Sequence, residues 1–173
     1  HFLSQRTILD RIAQAACGGS CPLCIEIGPG PGGLTASLLE RAGRLIAVEI
    51  DPLLAAKLRE KYAGESRFSL VEQDVLATDL AQWGPAVICG NLPYYITSPI
   101  VEKALSLGPL LQSAVFLVQR EVAERIAAGP GSRDYGYFSV AVQARAEVEK
   151  LFIVKPAAFS PPPFGHKEPP TPV

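Results

Sequence analysis

The sequence has few histidines, no long apolar run and no block of like charge. His1 and His166 are its only histidines, so neither a histidine-based triad nor a histidine metal cage is available in the core. No apolar run reaches the roughly 20 residues that span a bilayer, and the start shows no secretory signal. The 4 cysteines are too few for a disulfide scaffold at this length. We therefore expect a reduced, soluble, cytoplasmic protein that does not enter a membrane.

The sequence does contain enough apolar residues for a substantial core. Hydrophobic residues make up 48% of the 173 positions, which excludes a disordered chain and suits one domain. The formal net charge of −1 excludes a histone-like blanket of positive charge but is compatible with a local nucleic-acid patch. Several basic residues of the second half are candidates for phosphate contacts, or belong to a solvated helix face: Arg120, Arg125, Arg133, Arg145, Lys150 and Lys155.

Short apolar strands alternate with helical patterns along the chain. The predicted strands are 24–27, 45–48, 68–71, 86–89 and 114–118, and a further edge strand is predicted at 151–154. The predicted helices lie within 1–16 and at 34–41, 52–62 and 99–107, where apolar residues recur at helical spacing. This alternation predicts a mostly parallel, doubly wound α/β sheet of the Rossmann-like class. Ligands bind such sheets outside the carboxyl ends of the strands, and every unusual residue cluster here follows a strand.

A glycine turn follows the first of these predicted strands. Gly28, Gly30 and Gly33 have the G-x-G-x-x-G spacing between a strand and a helix, which allows a tight turn and a close approach to a ligand. Glu49 ends the next strand, where a carboxylate can accept both hydrogens of a ribose diol, and Asp74 ends the third, where it can accept from an adenine amine. The turn and Glu49 fit a dinucleotide and S-adenosylmethionine equally, and a turn that binds no ligand is the plainer alternative.

The turn after the fourth strand, Asn91-Leu92-Pro93-Tyr94, favours S-adenosylmethionine. Methylation of an adenine amine needs acceptors for its two hydrogens, because the nitrogen lone pair is delocalised into the ring. The side-chain oxygen of Asn91 and the carbonyl oxygen of Leu92 are candidates, and Pro93 holds the turn stiffly. Tyr94 offers a face on which an extruded base can stack. A proline turn with a core tyrosine is the plainer alternative, and the ordered set of motifs argues against it.

Several segments together resemble one known family. They are His1-Phe2-Leu3, Ile25-Glu26-Ile27-Gly28-Pro29-Gly30, Ala47-Val48-Glu49-Ile50-Asp51, Gln73-Asp74, Gly90-Asn91-Leu92-Pro93-Tyr94, Gln119-Arg120-Glu121-Val122-Ala123-Glu124-Arg125 and Ala158-Phe159-Ser160-Pro161-Pro162-Pro163. In these segments the chain resembles the small-subunit ribosomal RNA adenine dimethyltransferases, and the resemblance extends over 1–163.

The resemblance implies a reaction and a set of site residues. The reaction would be dimethylation of N6 in two adjacent adenosines near the 3′ end of small-subunit ribosomal RNA, on the immature subunit, by a monomer without a metal. S-adenosylmethionine would contact His1, Leu3, Gly28, Gly30, Glu49, Ile50, Asp74, Val75 and Asn91. The catalytic residues would be Asn91, Leu92, Pro93 and Tyr94, with Tyr94 and Phe159 on opposite faces of the target adenine.

The resemblance also implies a domain organisation. Residues 1–160 would form the catalytic domain that binds S-adenosylmethionine. Residues 161–173 are rich in proline and lack a periodic pattern, which predicts an extended tail or linker rather than a folded element. The family has a basic residue, an apolar strand and a small helical domain after this point, so we expect the helical domain to be absent or truncated.

Three other functions remain open from the sequence. The first is an adenine methyltransferase of the erythromycin-resistance type, which acts on large-subunit RNA. The second is a relative without catalysis that binds RNA or assists ribosome assembly. The third is a nicotinamide-dependent oxidoreductase, which leaves the motif at 91–94 without an explanation.

Three cysteines have the sequence spacing of a metal-cluster motif, but their predicted positions in the fold argue against a cluster. Cys17, Cys21 and Cys24 have the C-x-x-x-C-x-x-C spacing of iron–sulfur enzymes that cleave S-adenosylmethionine. Cys24, however, begins a strand that enters the glycine turn, so its side chain belongs to the sheet. A zinc site would need a fourth ligand, and Cys89 is on a separate strand. We interpret these residues as structural thiols.

Overall fold

The computed structural model describes residues 2–160 and 170–173 and shows a largely parallel sheet with helices on both faces. The strands are β1 (Phe2–Leu3), β2 (Leu23–Ile27), β3 (Arg44–Glu49), β4 (Phe68–Glu72), β5 (Ala86–Asn91), β6 (Leu111–Gln119), β7 (Phe159–Ser160) and β8 (Pro170–Pro172). The α-helices are α1 (Arg6–Cys17), α2 (Gly33–Leu39), α3 (Pro52–Lys61), α4 (Thr97–Leu105), α5 (Arg120–Ile126) and α6 (Tyr137–Gln143). None of the helices in this described part is long and apolar enough to cross a membrane.

The main sheet has the strand order β4-β3-β2-β5-β6-β8. Its first five strands pair in parallel, and β8 pairs with β6 in the antiparallel sense. β1 and β7 form a separate antiparallel pair. From β2 the chain adds β3 and then β4 on one side of the sheet. It then returns to the other side of β2 and adds β5 and β6 there, so the strand order reverses direction at β2. The predicted doubly wound α/β architecture is therefore confirmed.

The central strands are buried on both faces, as their unbroken apolar runs predict. Every residue of β2 is buried, and β3 and β5 are buried except for one residue at an end. Alternate side chains of a strand point to opposite faces, so the sheet separates two hydrophobic clusters. Cys24, Leu45 and Cys89 face α1 and α2, whereas Ile25 and the neighbouring apolar residues of the other strands face α4 and α5.

The start of α3 follows the local rule that the sequence predicts. Asp51 has an extended backbone, and its Oδ1 accepts hydrogen bonds from the backbone nitrogens of Leu53 at 2.8 Å and Leu54 at 3.3 Å. Pro52 occupies the first turn, where its missing N–H costs no intrahelical hydrogen bond. This cap begins α3 directly after β3 and fixes the backbone that follows Glu49.

Parallel pairing brings the carboxyl ends of the strands to one edge. Ile27 at the end of β2 pairs with Val48 in β3 and with Gly90 in β5. Asn91, the next residue of β5, pairs with Leu117 in β6. The residues that follow these strands therefore lie side by side, which is where the sequence predicts a ligand site.

The structure corrects two predictions at the other end of the chain. No strand forms at 151–154, and the end of the predicted tail, Pro170–Pro172, is instead β8 on the outer edge of β6. Val173 exchanges two backbone hydrogen bonds of 2.7 Å with Phe116, and the backbone nitrogen of Leu151 donates to Pro172 at 3.4 Å. Prolines are compatible with this position because an edge strand needs ladder donors on one side only. The remaining tail, 161–169, lies outside the described residues.

Gly90 of β5 lies directly against the backbone of β2, which makes this position sensitive to an added side chain. A Cβ at Gly90 would stand 2.6 Å from the carbonyl oxygen of Ile27. We expect Gly90→Ala to lower the free energy of unfolding in urea by roughly 1–3 kcal/mol, because the backbone must shift. Gly64→Ala is the control, since a Cβ there meets nothing within 4 Å. Equal stability of the two variants would contradict this account of the sheet.

Candidate active site

The glycine turn between β2 and α2 adopts conformations that side chains disfavour. Gly28 has a φ of 64° and Gly30 a φ of 57°, both in the left-handed region. The backbone nitrogen of Gly28 donates to the carbonyl oxygen of Val48 at 2.9 Å, which fixes the turn to β3. A Cβ at Gly30 would stand 2.9 Å from the ring of Phe2, whereas one at Gly28 would meet nothing within 4 Å. The turn is therefore tightly covered at Gly30 and has free space beside Gly28.

Glu49 connects the glycine turn to the end of β3. Its carboxylate is buried and accepts two backbone hydrogen bonds, from Gly30 to Oε2 at 3.0 Å and from Asp51 to Oε1 at 2.9 Å. Each carboxylate oxygen has two lone-pair sites, so both oxygens keep acceptor capacity after these bonds. The position agrees with the prediction that Glu49 stands at the strand end beside the turn.

Asp74, Val75 and Ile50 lie at the ends of the next strands, as the sequence predicts. Asp74 is exposed, and its Oδ1 accepts from the backbone nitrogen of Leu76 at 2.9 Å, which begins a short 3-10 turn. Val75, the first residue of this turn, is buried, whereas the Ile50 side chain, directly after β3, is 65% exposed. A carboxylate and an apolar surface are thus both available at this edge of the sheet.

The backbone of the turn after β5 is held by several hydrogen bonds. The backbone nitrogen of Leu92 donates to Leu117 at 3.0 Å, and the carbonyl oxygen of Pro93 accepts from Ile96 at 3.2 Å and from the Thr97 hydroxyl at 2.9 Å. Within the described residues, the carbonyl oxygen of Leu92 accepts no hydrogen bond from a backbone nitrogen. A firmly held backbone therefore presents a carbonyl oxygen next to the side chain of Asn91.

A cleft of about 40 Å³ joins this turn to the glycine turn. Asn91, Gly28 and Leu3 line it, together with Glu26 and Leu117. β1 covers one side, because Leu3 pairs with Phe159 of β7 and is buried. The structure therefore brings three of the predicted cofactor residues, Leu3, Gly28 and Asn91, to one cleft.

The two predicted stacking residues differ in their exposure. The Tyr94 side chain is 60% exposed and forms an edge-to-face pair with Tyr95 at 5.7 Å between ring centroids. Phe159 is 5% exposed and belongs to the hydrophobic cluster on the α1 side of the sheet. Tyr94 therefore presents a ring face to solvent, whereas Phe159 does not. His1 and the prolines at 161–163 of the same motif lie outside the described residues.

Sequence reasoning missed the buried carboxyl group of Glu26. Its side chain is 1% exposed in the middle of β2, and the Thr35 hydroxyl donates to its Oε2 at 2.6 Å. Burial raises the pKa of Glu26 to about 8, and the nearby Glu49 carboxylate also raises it. Burial raises the pKa values of Tyr62 and Cys89, and the negative charge that Glu26 carries when ionised raises both further. A single acidic residue inside a fully apolar strand was the available signal.

Clusters that could hold a metal ion are absent from residues 2–160 and 170–173. No group of three or more His, Cys, Asp or Glu side chains in these ranges is arranged to bind one. The site consists instead of carboxylates, an amide, a backbone carbonyl and exposed apolar and aromatic surface.

The raised pKa of Glu26 predicts a pH dependence of stability. Because the pKa is about 8 in the native state and near 4.5 when exposed, the native protein keeps a proton that the unfolded chain releases. Stability from this group is fully present below the unfolded pKa and is lost as the pH rises through the native one. Between about pH 4.5 and pH 8, we expect the free energy of unfolding in urea to fall by roughly 5 kcal/mol more for the wild type than for Glu26→Gln. A difference between the two proteins that does not change with pH would contradict a protonated Glu26.

Comparisons with known proteins agree with this geometry. The model of the family described as ribosomal RNA adenine dimethylase matches residues 1–165. Ribosomal RNA small subunit methyltransferase A of Acidobacterium capsulatum is 45% identical over 167 residues, which cover 94% of this chain and 59% of that protein. The chain thus spans about three-fifths of the length of this curated relative.

Two solved structures share the fold closely. A dimethyladenosine transferase from Plasmodium falciparum superposes with a TM-score of 0.87 at 31% identity, over 99% of this chain and 62% of that one. The 23S rRNA methyltransferase ErmE superposes with a TM-score of 0.84 at 32% identity, over 99% of this chain and 68% of that one. With its doubly wound sheet, its glycine turn and the Asn91–Tyr94 turn at one edge, the chain belongs to the ribosomal RNA adenine dimethylase family.

Proposed function

We propose that this chain transfers methyl groups from S-adenosylmethionine to the N6 atoms of adenines in small-subunit ribosomal RNA. The targets would be two adjacent adenosines near the 3′ end, each methylated twice, during maturation of the subunit. The observation that carries the proposal is the pair of acceptors at the end of β5. They are the side chain of Asn91 and the carbonyl oxygen of Leu92, beside the cleft at Gly28.

The residues around the glycine turn fit S-adenosylmethionine. Gly28 leaves space where any other residue would place a Cβ, so the cofactor's methionine end can approach the backbone there. Glu49 keeps acceptor capacity for the ribose hydroxyls after its bonds to Gly30 and Asp51. The exposed carboxylate of Asp74 would accept a hydrogen bond from the adenine amine of the cofactor. The exposed Ile50 side chain would contact the adenine ring, and the buried Val75 would support the turn that follows Asp74.

The chemistry that remains for the chain is to position and polarise the target amine. S-adenosylmethionine supplies an activated methyl group when bound. The Asn91 side-chain oxygen and the Leu92 carbonyl oxygen would accept the two amine hydrogens, which favours the pyramidal nitrogen of the transition state. Pro93 holds these acceptors in place through its own anchored carbonyl, so they need little reorganisation when the charge develops.

The target base must leave its stack to reach these acceptors. Tyr94, whose ring is exposed next to Asn91, would stack on one face of the extruded adenine. Phe159 would reach the opposite face only after a rearrangement of β7, because its ring is buried in the present arrangement. The role of Phe159 therefore includes a conformational step that Tyr94 does not need.

The proposal extends to the setting of the reaction. We propose that residues 1–160 are the catalytic domain, that the chain acts as a cytoplasmic monomer, and that the immature small subunit is its partner. Support comes from the small-subunit methyltransferase that is 45% identical over 94% of this chain.

A second candidate substrate is large-subunit RNA. The similarity to the 23S rRNA methyltransferase ErmE, at a TM-score of 0.84, favours this alternative. The two are separated by incubating the chain with labelled S-adenosylmethionine and either immature small subunits or large-subunit RNA, followed by digestion to nucleosides. Label in N6,N6-dimethyladenosine from the small subunit would support the proposal. Label from large-subunit RNA alone would establish the alternative, and no label on either would contradict both.

Removal of the amide acceptor should act mainly on the chemical step. We expect Asn91→Ala to lower kcat by roughly 10²–10³-fold, which is typical of losing one preorganised hydrogen-bonding group. Gln82→Ala is the matched control, because this amide is exposed and bonds only to the backbone of Asp79 at 2.7 Å. Single-turnover methylation of the small subunit measures the effect. Full methylation activity of Asn91→Ala would show that the Asn91 amide does not act in the chemical step.

Removal of the exposed ring should act on RNA binding. Stacking of a base on an aromatic side chain contributes roughly 1–3 kcal/mol, so Tyr94→Ala should raise KM for the RNA by about 5- to 150-fold. Tyr94→Phe keeps the ring and should retain most of the affinity. Initial rates at varied concentrations of small subunits give both constants. Equal KM values for the two variants would show that the ring does not contact the base.

A further inference from the structure

All four cysteines of the chain belong to one buried cluster, and three of them, Cys17, Cys21 and Cys24, lie near the amino end of β2, away from the proposed active site. Cys17 is the last residue of α1, Cys21 lies in the connection to β2, Cys24 is in β2, and Cys89 is in β5. All belong to the hydrophobic cluster on the α1 side of the sheet. Neither the family match nor the proposed methyl transfer uses these thiols.

Cys17 and Cys21 are already in sulfur–sulfur contact. Their Sγ atoms are 2.6 Å apart, although both residues are free thiols. The S–S bond of a disulfide is about 2.05 Å long, so only a small movement separates the two thiols from a bond. The connection between them, Gly18-Gly19-Ser20, is exposed and contains two glycines, which lets it adapt to that movement.

The third thiol, Cys24, makes the pair chemically unequal. Cys24 and Cys17 donate hydrogen bonds to the sulfur of Cys21, and these contacts lower the pKa of Cys21 to about 6. Hydrogen bonds with Cys17 and Cys21, together with burial, raise the pKa of Cys24 well above its usual value, and burial raises the pKa of Cys89. Cys21 is therefore more readily ionised than Cys24 or Cys89. Its side chain is buried and directly follows the exposed residues 18–20.

We propose that Cys17 and Cys21 form a reversible disulfide, and that this pair is a thiol-modification site for small disulfide oxidants such as oxidised glutathione. The Cys21 thiolate attacks one sulfur of the oxidant, forms a mixed disulfide and releases one glutathione thiolate. Cys17 then loses its proton and attacks the Cys21 sulfur, which releases the second glutathione. Two protein thiols are oxidised to one disulfide, and one oxidised glutathione is reduced to two thiols.

Cys24 keeps a positioning role in this scheme. It activates Cys21 by hydrogen bonding, but it lies within β2, where pairing with Val87 of β5 holds its backbone. Cys17 is the last residue of α1, next to the two glycines of the connection, so it is the better partner for the bond. A metal is not required, and the described residues contain no arrangement that could bind one.

The experiment equilibrates the full chain in buffers of increasing ratio of oxidised to reduced glutathione at neutral pH. Each sample is quenched with acid, alkylated in denaturant and digested, and the peptides are identified by mass spectrometry. We expect a peptide with Cys17 and Cys21 joined and unalkylated, while Cys24 and Cys89 stay fully alkylated. The link should disappear again when reduced glutathione is restored.

Single variants separate the roles of the four thiols. Cys17→Ala and Cys21→Ala should each abolish the link, and Cys89→Ala should leave it unchanged. Cys24→Ala should still form it, but alkylation of Cys21 in the folded protein should then need a higher pH, since its main hydrogen-bond donor is lost. Far-UV circular dichroism identifies any variant that fails to fold.

Three results would overturn the proposal. The first is four alkylated thiols at every ratio that oxidises a reference dithiol protein in the same buffers. The second is a link that includes Cys24 or Cys89. The third is a stable mixed disulfide of Cys21 with glutathione that Cys17 does not resolve. None of these results bears on methyl transfer, so the two proposals stand or fall separately.

Discussion

Parallel pairing of five strands in register is the constraint on which the rest of the structure depends. Ile27 pairs with Val48 and Gly90, and Asn91 pairs with Leu117, so the strands end level with one another. Each strand then delivers its next residues to the same edge: a glycine turn, a carboxylate, or the Asn91 turn. The distances within the site are thus set by backbone hydrogen bonds of the sheet rather than by contacts among the site's own side chains.

Two buried carboxyl groups show how this edge balances stability against function. Glu49 accepts two backbone hydrogen bonds and so stabilises the glycine turn as a carboxylate. Glu26 accepts a hydrogen bond from the Thr35 hydroxyl. Burial favours its neutral form and raises its pKa to about 8. The cleft between the two turns is therefore lined by a buried carboxyl group, Glu26, whose ionisation burial opposes.

The sequence was sufficient for the centre of the fold and insufficient for its edges. Central strands such as β2 are buried on both faces, so an unbroken apolar run in the sequence is enough to predict them. The edge beside β6 was not predictable in this way, because the apolar residues 151–154 predict a strand whereas the prolines of 170–172 predict a tail, and packing decides that 170–172 pairs. The same limit applies within the site. Strand ends located Glu49, Asp74 and Asn91, whereas the burial of Glu26 and Phe159 depends on what covers them.

The two ends of β2 carry different chemistry because a parallel sheet separates them. The glycine turn follows its carboxyl end, where ligands bind, whereas Cys21 and Cys24 lie at its amino end under α1. A covalent link between Cys17 and Cys21 would tie α1 to the start of β2 without touching the acceptors on Asn91 and Leu92. Its effect would reach the cleft only through α1, whose Leu9 and Ile12 line it. Oxidation would therefore change how firmly the cleft wall is held and would leave the reacting groups unchanged.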